Sequence, residues 1–265
     1  MQNKMIAVTS PENPHLKQLK SLWDNRKRKK SGLFFAEGVK EIEMAMEGGY
    51  RAVEVFFAKG FDIGKTHLHF PEDILFYELS ENLAKGVMYR EKTEGVTAVF
   101  EARSMKPQDI VLSENPMVIV LESVEKPGNL GAVIRTADAC GADAVIVCDP
   151  KTDVFHPNVI RSSVGCVFSK QVAVASGAET LSWLRNKGMK VVTASVQARS
   201  FHYHAELGGA VALVFGTEAD GLSDFWNQNS DEAVKIPMRG TNDSLNVSVS
   251  VAVLCYEALR RRMGK

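Results

Sequence analysis

Apolar positions fall into two rhythms along this chain. Short continuous blocks, such as Met117–Leu121, Ala144–Cys148, Lys190–Ala194 and Val211–Phe215, carry the mark of strands buried on both faces. Between them lie stretches in which apolar residues recur every three or four positions. In the first hundred residues, Leu16, Leu19 and Leu22–Trp23 predict one helix running to about Arg28. Ser10 or Asn13 is its cap, and Pro11 and Pro14 fit only its opening turn. Phe34–Ala36 predicts a short strand. A helix with Ile42, Met44 and Met46 follows, closed by Gly48–Gly49. Strands are expected at Val53–Phe57, Ile74–Tyr77 and Val96–Phe100, with a helix over Glu81–Met88. The polar stretch Glu101–Pro116, with two prolines, predicts a linker.

Beyond Pro116 the alternation becomes regular. Helices are predicted at Asn129–Cys140, Pro157–Ser163 and Glu179–Lys187, with strands at Ala144–Cys148, Gln171–Ala175, Lys190–Ala194, Val211–Phe215 and Ala233–Ile236. Strands alternating with helices imply a parallel sheet covered on both faces. A long helix opens near Asn246. Its valines, Val247, Val249, Val251 and Val253, with Leu254 and Leu259, make it apolar on more than one face. That is more than a one-sided surface helix needs, and it predicts a homodimer.

Composition narrows the picture little. The 265 residues are enough for one large domain or two ordinary ones, and 45% are hydrophobic. The 32 basic residues balance 32 acidic ones, so contact with nucleic acid rests on local patches. The run Arg26, Lys27, Arg28, Lys29 and Lys30 is such a patch, suited to phosphate or simply to water. Arg199–His204 mixes cations with aromatic rings suited to stacking on bases. Cys140, Cys148, Cys166 and Cys255 lie among apolar residues without metal-binding spacing, and read as buried reduced thiols. His156, His202 and His204 have no partners at catalytic or metal spacing, so no metal is expected. The N-terminus lacks the apolar core of a signal peptide, and no apolar run spans a membrane. A cytoplasmic protein is expected.

Candidate chemistry concentrates in two loops that follow buried strands, Gly216–Leu222 and Pro237–Asn246. Ligands bind at the carboxyl ends of strands in open α/β sheets, and glycines allow close backbone approach. Taken alone, each loop is also an ordinary strand–helix turn. Together F-G-T-E-A-D-G-L-S (215–223) and I-P-M-R-G-T-N-D-S-L-N-V (236–247) resemble the last two motifs of the SpoU (TrmH-type) family. N-L-G-A-V-I-R-T-A-D-A-C-G-A-D (129–143) resembles its first motif. That family comprises S-adenosylmethionine-dependent RNA 2′-O-ribose methyltransferases of the SPOUT superfamily.

The resemblance implies a C-terminal parallel-sheet domain with a trefoil knot that binds S-adenosylmethionine and dimerises. It implies catalytic roles for Asn129, Arg135, Glu218, Ser244 and Asn246. Gly216, Glu218, Gly221, Ile236, Met238, Leu245 and Asn246 fall at cofactor-binding positions. Arg135 matches the catalytic arginine. Since a guanidinium is a poor base, clamping a phosphate and polarising the hydroxyl are its safer roles. H-P-N-V-I-R-S-S-V-G (156–165) resembles a family segment P-K-V-I-R-A-S-x-G. Asn158 stands where lysine is usual, and Arg161 is left as an RNA contact. Each residue also has a plainer reading: an ion pair for Arg135, helix caps for Asn129, Ser244 and Asn246, a loop acid for Glu218, and a surface arginine for Arg161.

Ser10–Lys20 and Leu33–Gly38 resemble the small α/β substrate-binding domain carried by many SpoU enzymes. Residues 1–105 are therefore expected to bind RNA, with ribosomal RNA favoured over transfer RNA, and 106–265 to form the methyltransferase domain. RNA affinity should come from the first without its being needed for cofactor binding. Two other classes stay open. One is a non-catalytic RNA-binding or assembly protein on the same fold. The other is a dinucleotide-dependent oxidoreductase suggested by Gly128-Asn-Leu-Gly131, although the G-x-G-x-x-G spacing is lacking.

Overall fold

The computed structural model describes residues 5–90, 94–217 and 220–264. The chain divides into two compact units: Met1–Arg103 with Phe155–Ser169, and Ser104–Val154 with Lys170–Lys265.

In the first unit the elements run β1 (Met5–Val8), α1 (Pro14–Ser21), α2 (Asn25–Ser31), β2 (Leu33–Glu37), α3 (Val39–Glu47), β3 (Ala52–Ala58), β4 (Leu75–Leu79), α4 (Glu81–Val87) and β5 (Val96–Glu101). The sheet order is β1-β4-β3-β5-β2, with β5 antiparallel to both its neighbours. The adjacent rings Phe34 and Phe35 are both buried, because successive strand residues point to opposite faces and both faces are covered. Phe35 packs with Leu16, Leu19 and Leu22 from the α1 side.

Phe34 faces the other way, where Phe100 stacks on it at 5.4 Å. Two further rings there come from far along the chain. Phe155 stacks on Phe34 at 4.5 Å and Phe168 at 5.5 Å. Phe155 precedes α6 (Pro157–Ser162) and Phe168 lies in α7 (Cys166–Ser169), so this excursion completes the first unit's core. Gly165 seats against α3: a Cβ there would lie 2.6 Å from the Met44 sulfur. A chain beginning at Lys106 keeps Phe155 and Phe168 but loses Phe34 and Phe100. We expect it to self-associate in size-exclusion chromatography at concentrations where the whole chain elutes as one discrete species. Clean elution of the short chain would show that the excursion folds without its ring partners.

The single helix expected through Arg28 is broken in two. Asp24 accepts a hydrogen bond from the Lys27 amide at 3.1 Å and caps a new helix. Arg28 then turns inward, and its Nη1 donates to the carbonyls of Leu22 (2.7 Å) and Trp23 (3.1 Å) at the end of α1. The stretch Glu101–Pro116 also differs from a free linker. Glu101 ends β5, Pro107–Asp109 forms a 3-10 turn, and Ile110 is buried in the second unit's core.

The second unit contains β6 (Met117–Glu122), α5 (Pro127–Ala139), β7 (Ala144–Cys148), β8 (Gln171–Ala175), α8 (Gly177–Asn186), β9 (Lys190–Ala194), β10 (Ser200–Phe201), β11 (Val211–Phe215), α9 (Asp224–Asn229), β12 (Glu232–Lys235) and α10 (Val247–Arg262). Its seven strands, ordered β10-β12-β9-β11-β6-β7-β8, pair in parallel throughout. One face packs Val118, Val120, Ile146 and Val214 against Trp183 and Leu184 of α8 and Trp226 of α9. Helices α5 and α10 pack on each other on the other side of the unit. Strand β6 leads to β7 on one side while β11 leads by way of α9 to β12 on the other. The chain reversal between β6 and β11 is a topological switch point, where a crevice opens at the strands' carboxyl ends.

Three cysteines, Cys140, Cys148 and Cys255, are buried, and Cys166 is half-buried; all are free thiols. Burial pushes the Cys148 thiol up to about 12. A hydrogen bond with the Cys255 thiol lowers Cys140. Among the described residues no helix is long and apolar enough to cross a membrane.

Candidate active site

A cleft of about 380 Å³ lies at the switch point. Leu121, Val124, Lys126 and Asn129 line it from β6 and the start of α5. Gly216 and Thr217 close it beyond β11, and Val247 comes from the first turn of α10. The three sequence motifs, distant along the chain, therefore meet at one place.

Helix α5 starts two residues earlier than the pattern predicts, because Pro127 occupies its first turn with its φ already set for helix. Asn129 thus lies inside the first turn and does not cap the helix. Its Oδ1 accepts from Asn246 Nδ2 at 3.2 Å. Asn246 does cap: its Oδ1 accepts from the Ser248 amide at 2.9 Å and the Ser248 hydroxyl at 2.6 Å. One carboxamide thus opens α10 and ties it to the first motif.

The loop after β11 is held tightly. The Thr217 amide donates to the Gly221 carbonyl at 2.9 Å, and the Gly221 amide returns to the Thr217 carbonyl at 3.2 Å. Gly216 fits only as glycine, since a Cβ would lie 2.0 Å from the Gly221 carbonyl oxygen. Gly221 has φ +70°, a left-handed conformation that suits glycine. Glu218 lies outside the described residues.

Glu122, absent from the sequence reading, anchors this loop from below. Its carboxylate accepts from the Ser223 amide at 2.8 Å and the Ser223 hydroxyl at 2.6 Å. It is the lone acid closing the apolar run Met117–Leu121, a sequence signal that names no partner 101 residues away. The next residue, Ser123, holds φ +51°. Non-glycine residues in such conformations are sparse and collect at functional sites.

The remaining candidates do not line the cleft. Arg135 is exposed on α5, about 9 Å along the helix axis from Asn129. It has no hydrogen bond or ion pair among the described residues, so the structural ion pair is not seen there. Ile236 and Met238 are half-buried after β12. Ser244 and Leu245 are exposed, and Ser244 Oγ donates to Asp243 Oδ1 at 3.1 Å. Of the cation run, Arg26, Lys27, Lys29 and Lys30 project into solvent on α2. Arg28 is 3% exposed, so the expected RNA contact there is corrected to a structural one. Arg161 is exposed on α6 in the first unit and borders a narrow recess with Glu37, Tyr89 and Arg90. His156 caps α6, its Nδ1 accepting from the Asn158 amide at 3.1 Å.

The fold and cleft place the chain among α/β proteins that bind a ligand at the carboxyl ends of a parallel sheet. Residues 116–256 match the model of the SpoU rRNA Methylase family, and residues 13–98 match an MRM3-like substrate binding domain. The 23S rRNA (guanosine-2′-O-)-methyltransferase RlmB of Photobacterium profundum is 35% identical over 209 residues, 76% of this chain and 81% of that protein. A crystal structure of an RNA 2′-O ribose methyltransferase superposes with TM-score 0.83 at 35% identity, covering 97% of this chain and all of that one. The AdoMet-bound rRNA methyltransferase of Sinorhizobium meliloti superposes with TM-score 0.87 at 27% identity, covering 97% and 98%. The chain belongs to the SpoU rRNA methylase family.

Proposed function

We propose that this protein transfers a methyl group from S-adenosylmethionine to a ribose 2′-hydroxyl of ribosomal RNA. The observation that carries the reading is the meeting of Asn129, Gly216 and Val247 around one cleft, with Asn246 bonded to Asn129, in a chain of this family. The residues suit the cofactor. Gly216 leaves no side chain over the crevice, and Leu121, Val124 and Val247 supply apolar walls. When bound, the cofactor supplies a sulfonium methyl group that is already electrophilic. The protein's task is to align the 2′-oxygen and manage its proton.

On this reading Gly216, Gly221, Ile236, Met238, Leu245 and Asn246 hold the cofactor, with Glu218 supporting the loop. Asn129 and Asn246 orient the ribose, with Ser244 beside them. Arg135 clamps the phosphate next to the reacting nucleotide and polarises the hydroxyl. Residues 1–105 bind RNA through Arg26, Lys27, Lys29 and Lys30, with Arg161 added from α6, and 106–265 carry the reaction. Knotted threading of the C-terminal segment and a cytoplasmic location belong to the same proposal. So does a homodimer through α10, whose Val249 and Tyr256, with Met263 just past its end, recur every seven residues and are 46%, 50% and 62% exposed.

The test is calorimetry with S-adenosylhomocysteine against NADH, sedimentation at micromolar concentration, and ribose-methylation mapping of ribosomal RNA from a deletion strain. We expect S-adenosylhomocysteine to bind, twice the chain mass in sedimentation, and one ribose methylation lost. Tighter binding of NADH, or an unchanged methylation map, would remove this reading, and a monomer would remove the dimer.

A further inference from the structure

The stretch Arg199–His204 lies outside the cleft, and nothing in the reaction above uses it. Phe201 ends β10 and pairs in register with Lys235 of β12, one residue before Ile236 opens the loop to α10. The Lys235 ammonium sits 5.3 Å from the Phe201 ring centroid. Tyr203 stacks on Phe201 with centroids 5.4 Å apart and planes 17° from parallel. His204 meets Tyr203 edge-on at 4.6 Å. This aromatic turn is not a core element: Tyr203 is 40% exposed and His204 is exposed too.

Two features distinguish the turn from an ordinary surface aromatic. First, it is rigid. His202–His204 forms a 3-10 turn, and the Arg261 guanidinium donates to the Tyr203 carbonyl while also bonding Glu257 at 2.8 Å. The ring itself is braced by Phe201 and His204, so it has less freedom to lose when a ligand stacks on it. Second, one cation lies against it and others are exposed in the adjoining segments. Lys235 touches the ring system, Arg199 is exposed just before it, and Arg239 is exposed in the loop after β12. Glu206, the acid nearest in sequence, has its carboxylate 3.6 Å from Arg261. Exposed rings framed by cations are what an unpaired nucleobase and its phosphates require, since every base has a face to stack and the backbone is anionic.

We propose that Phe201, Tyr203 and His204, with Arg199 and Lys235, form a stacking platform for an unpaired base of the RNA substrate. This rests on the methyltransferase reading and adds to it the kind of RNA accepted: a single-stranded or bulged segment, because a paired base has no free face. The platform stands at the carboxyl edge of the same sheet as the cleft. Three strand spacings separate β10 from β11, about 14 Å. A few nucleotides of extended strand bridge that distance, so the stacked base belongs to the same RNA segment as the target ribose.

The experiment measures binding of a fluorescein-labelled, unmodified 23S ribosomal RNA transcript by anisotropy, using the full chain. Methylation of that transcript by the wild-type protein is followed separately. Tyr203→Ala is expected to weaken RNA binding about tenfold, and Tyr203→Trp to restore it to within about twofold of wild type. S-adenosylhomocysteine affinity and thermal unfolding should not change. Binding by Tyr203→Ala within twofold of wild type overturns the platform, as does failure of the Trp variant to rescue. Conversion of Tyr203→Ala from dimer to monomer would also overturn it, because a second copy of the chain would then be the occupant. Wild-type protein that neither methylates the transcript nor binds S-adenosylhomocysteine would instead overturn the methyltransferase reading, and anisotropy would still decide the platform.

Discussion

Arg135→Ala should lower single-turnover methylation of ribosomal RNA by a hundredfold or more, leaving S-adenosylhomocysteine affinity near wild type. Losing one charged hydrogen-bonding group that acts in the transition state typically costs on the order of 3 kcal/mol, roughly a hundredfold in rate. Three observations support the expectation for this residue. Arg135 is exposed and has no partner among the described residues, so no fold-stabilising ion pair is lost with it. It does not line the cleft, so cofactor binding should not depend on it. It is also the one cation in α5, so no neighbour on the helix replaces it. Arg135→Lys should be severely impaired as well, because a point charge cannot reproduce the planar fork that grips a phosphate through two nitrogens. Thermal unfolding checks that each variant is folded. A folded Arg135→Ala protein that methylates within a fewfold of wild type would show that Arg135 is an ordinary surface residue.

Gly216→Ala should weaken cofactor binding about a hundredfold. The added methyl would lie 2.0 Å from the Gly221 carbonyl oxygen, 2.1 Å from its carbon and 2.4 Å from the Leu222 nitrogen. All three are backbone atoms, so no side-chain rotation relieves the clash. The loop has little slack, since Thr217 and Gly221 bond each other in both directions and Glu122 fixes Ser223. The ring must open, which distorts the wall of the cleft. Calorimetry with S-adenosylhomocysteine should show affinity reduced by about two orders of magnitude, or roughly 3 kcal/mol. Gly221→Ala is the comparison, expected to weaken binding less. Nothing lies within 4 Å of its added methyl, and only the left-handed φ of +70° is strained, a cost of roughly 1–2 kcal/mol. Equal behaviour of the two variants would mean that Gly216 matters only through backbone flexibility.

What the sequence determined by itself is the alternation of elements and the identity of the site motifs. Continuous apolar blocks such as Met117–Leu121 and Val211–Phe215, five residues long and rich in β-branched side chains, fit strands buried on both faces, and they became the centre of the parallel sheet. Asn129, Gly216 and Asn246 stood out through the resemblance of their motifs to the SpoU family; read alone, each loop was an ordinary strand–helix turn. Tertiary structure alone decided what depends on partners remote in sequence. Glu122 has meaning only once Ser223 is beside it. Arg28 looked like its cationic neighbours until the break at Asp24 turned it onto the carbonyls of Leu22 and Trp23. Phe155 and Phe168 follow the rhythm of the second unit yet complete the first, because Phe34 there leaves an aromatic face uncovered. Periodicity reports which face of an element is apolar. Which other face covers it depends on contacts between residues far apart in the chain, and local spacing carries no record of them.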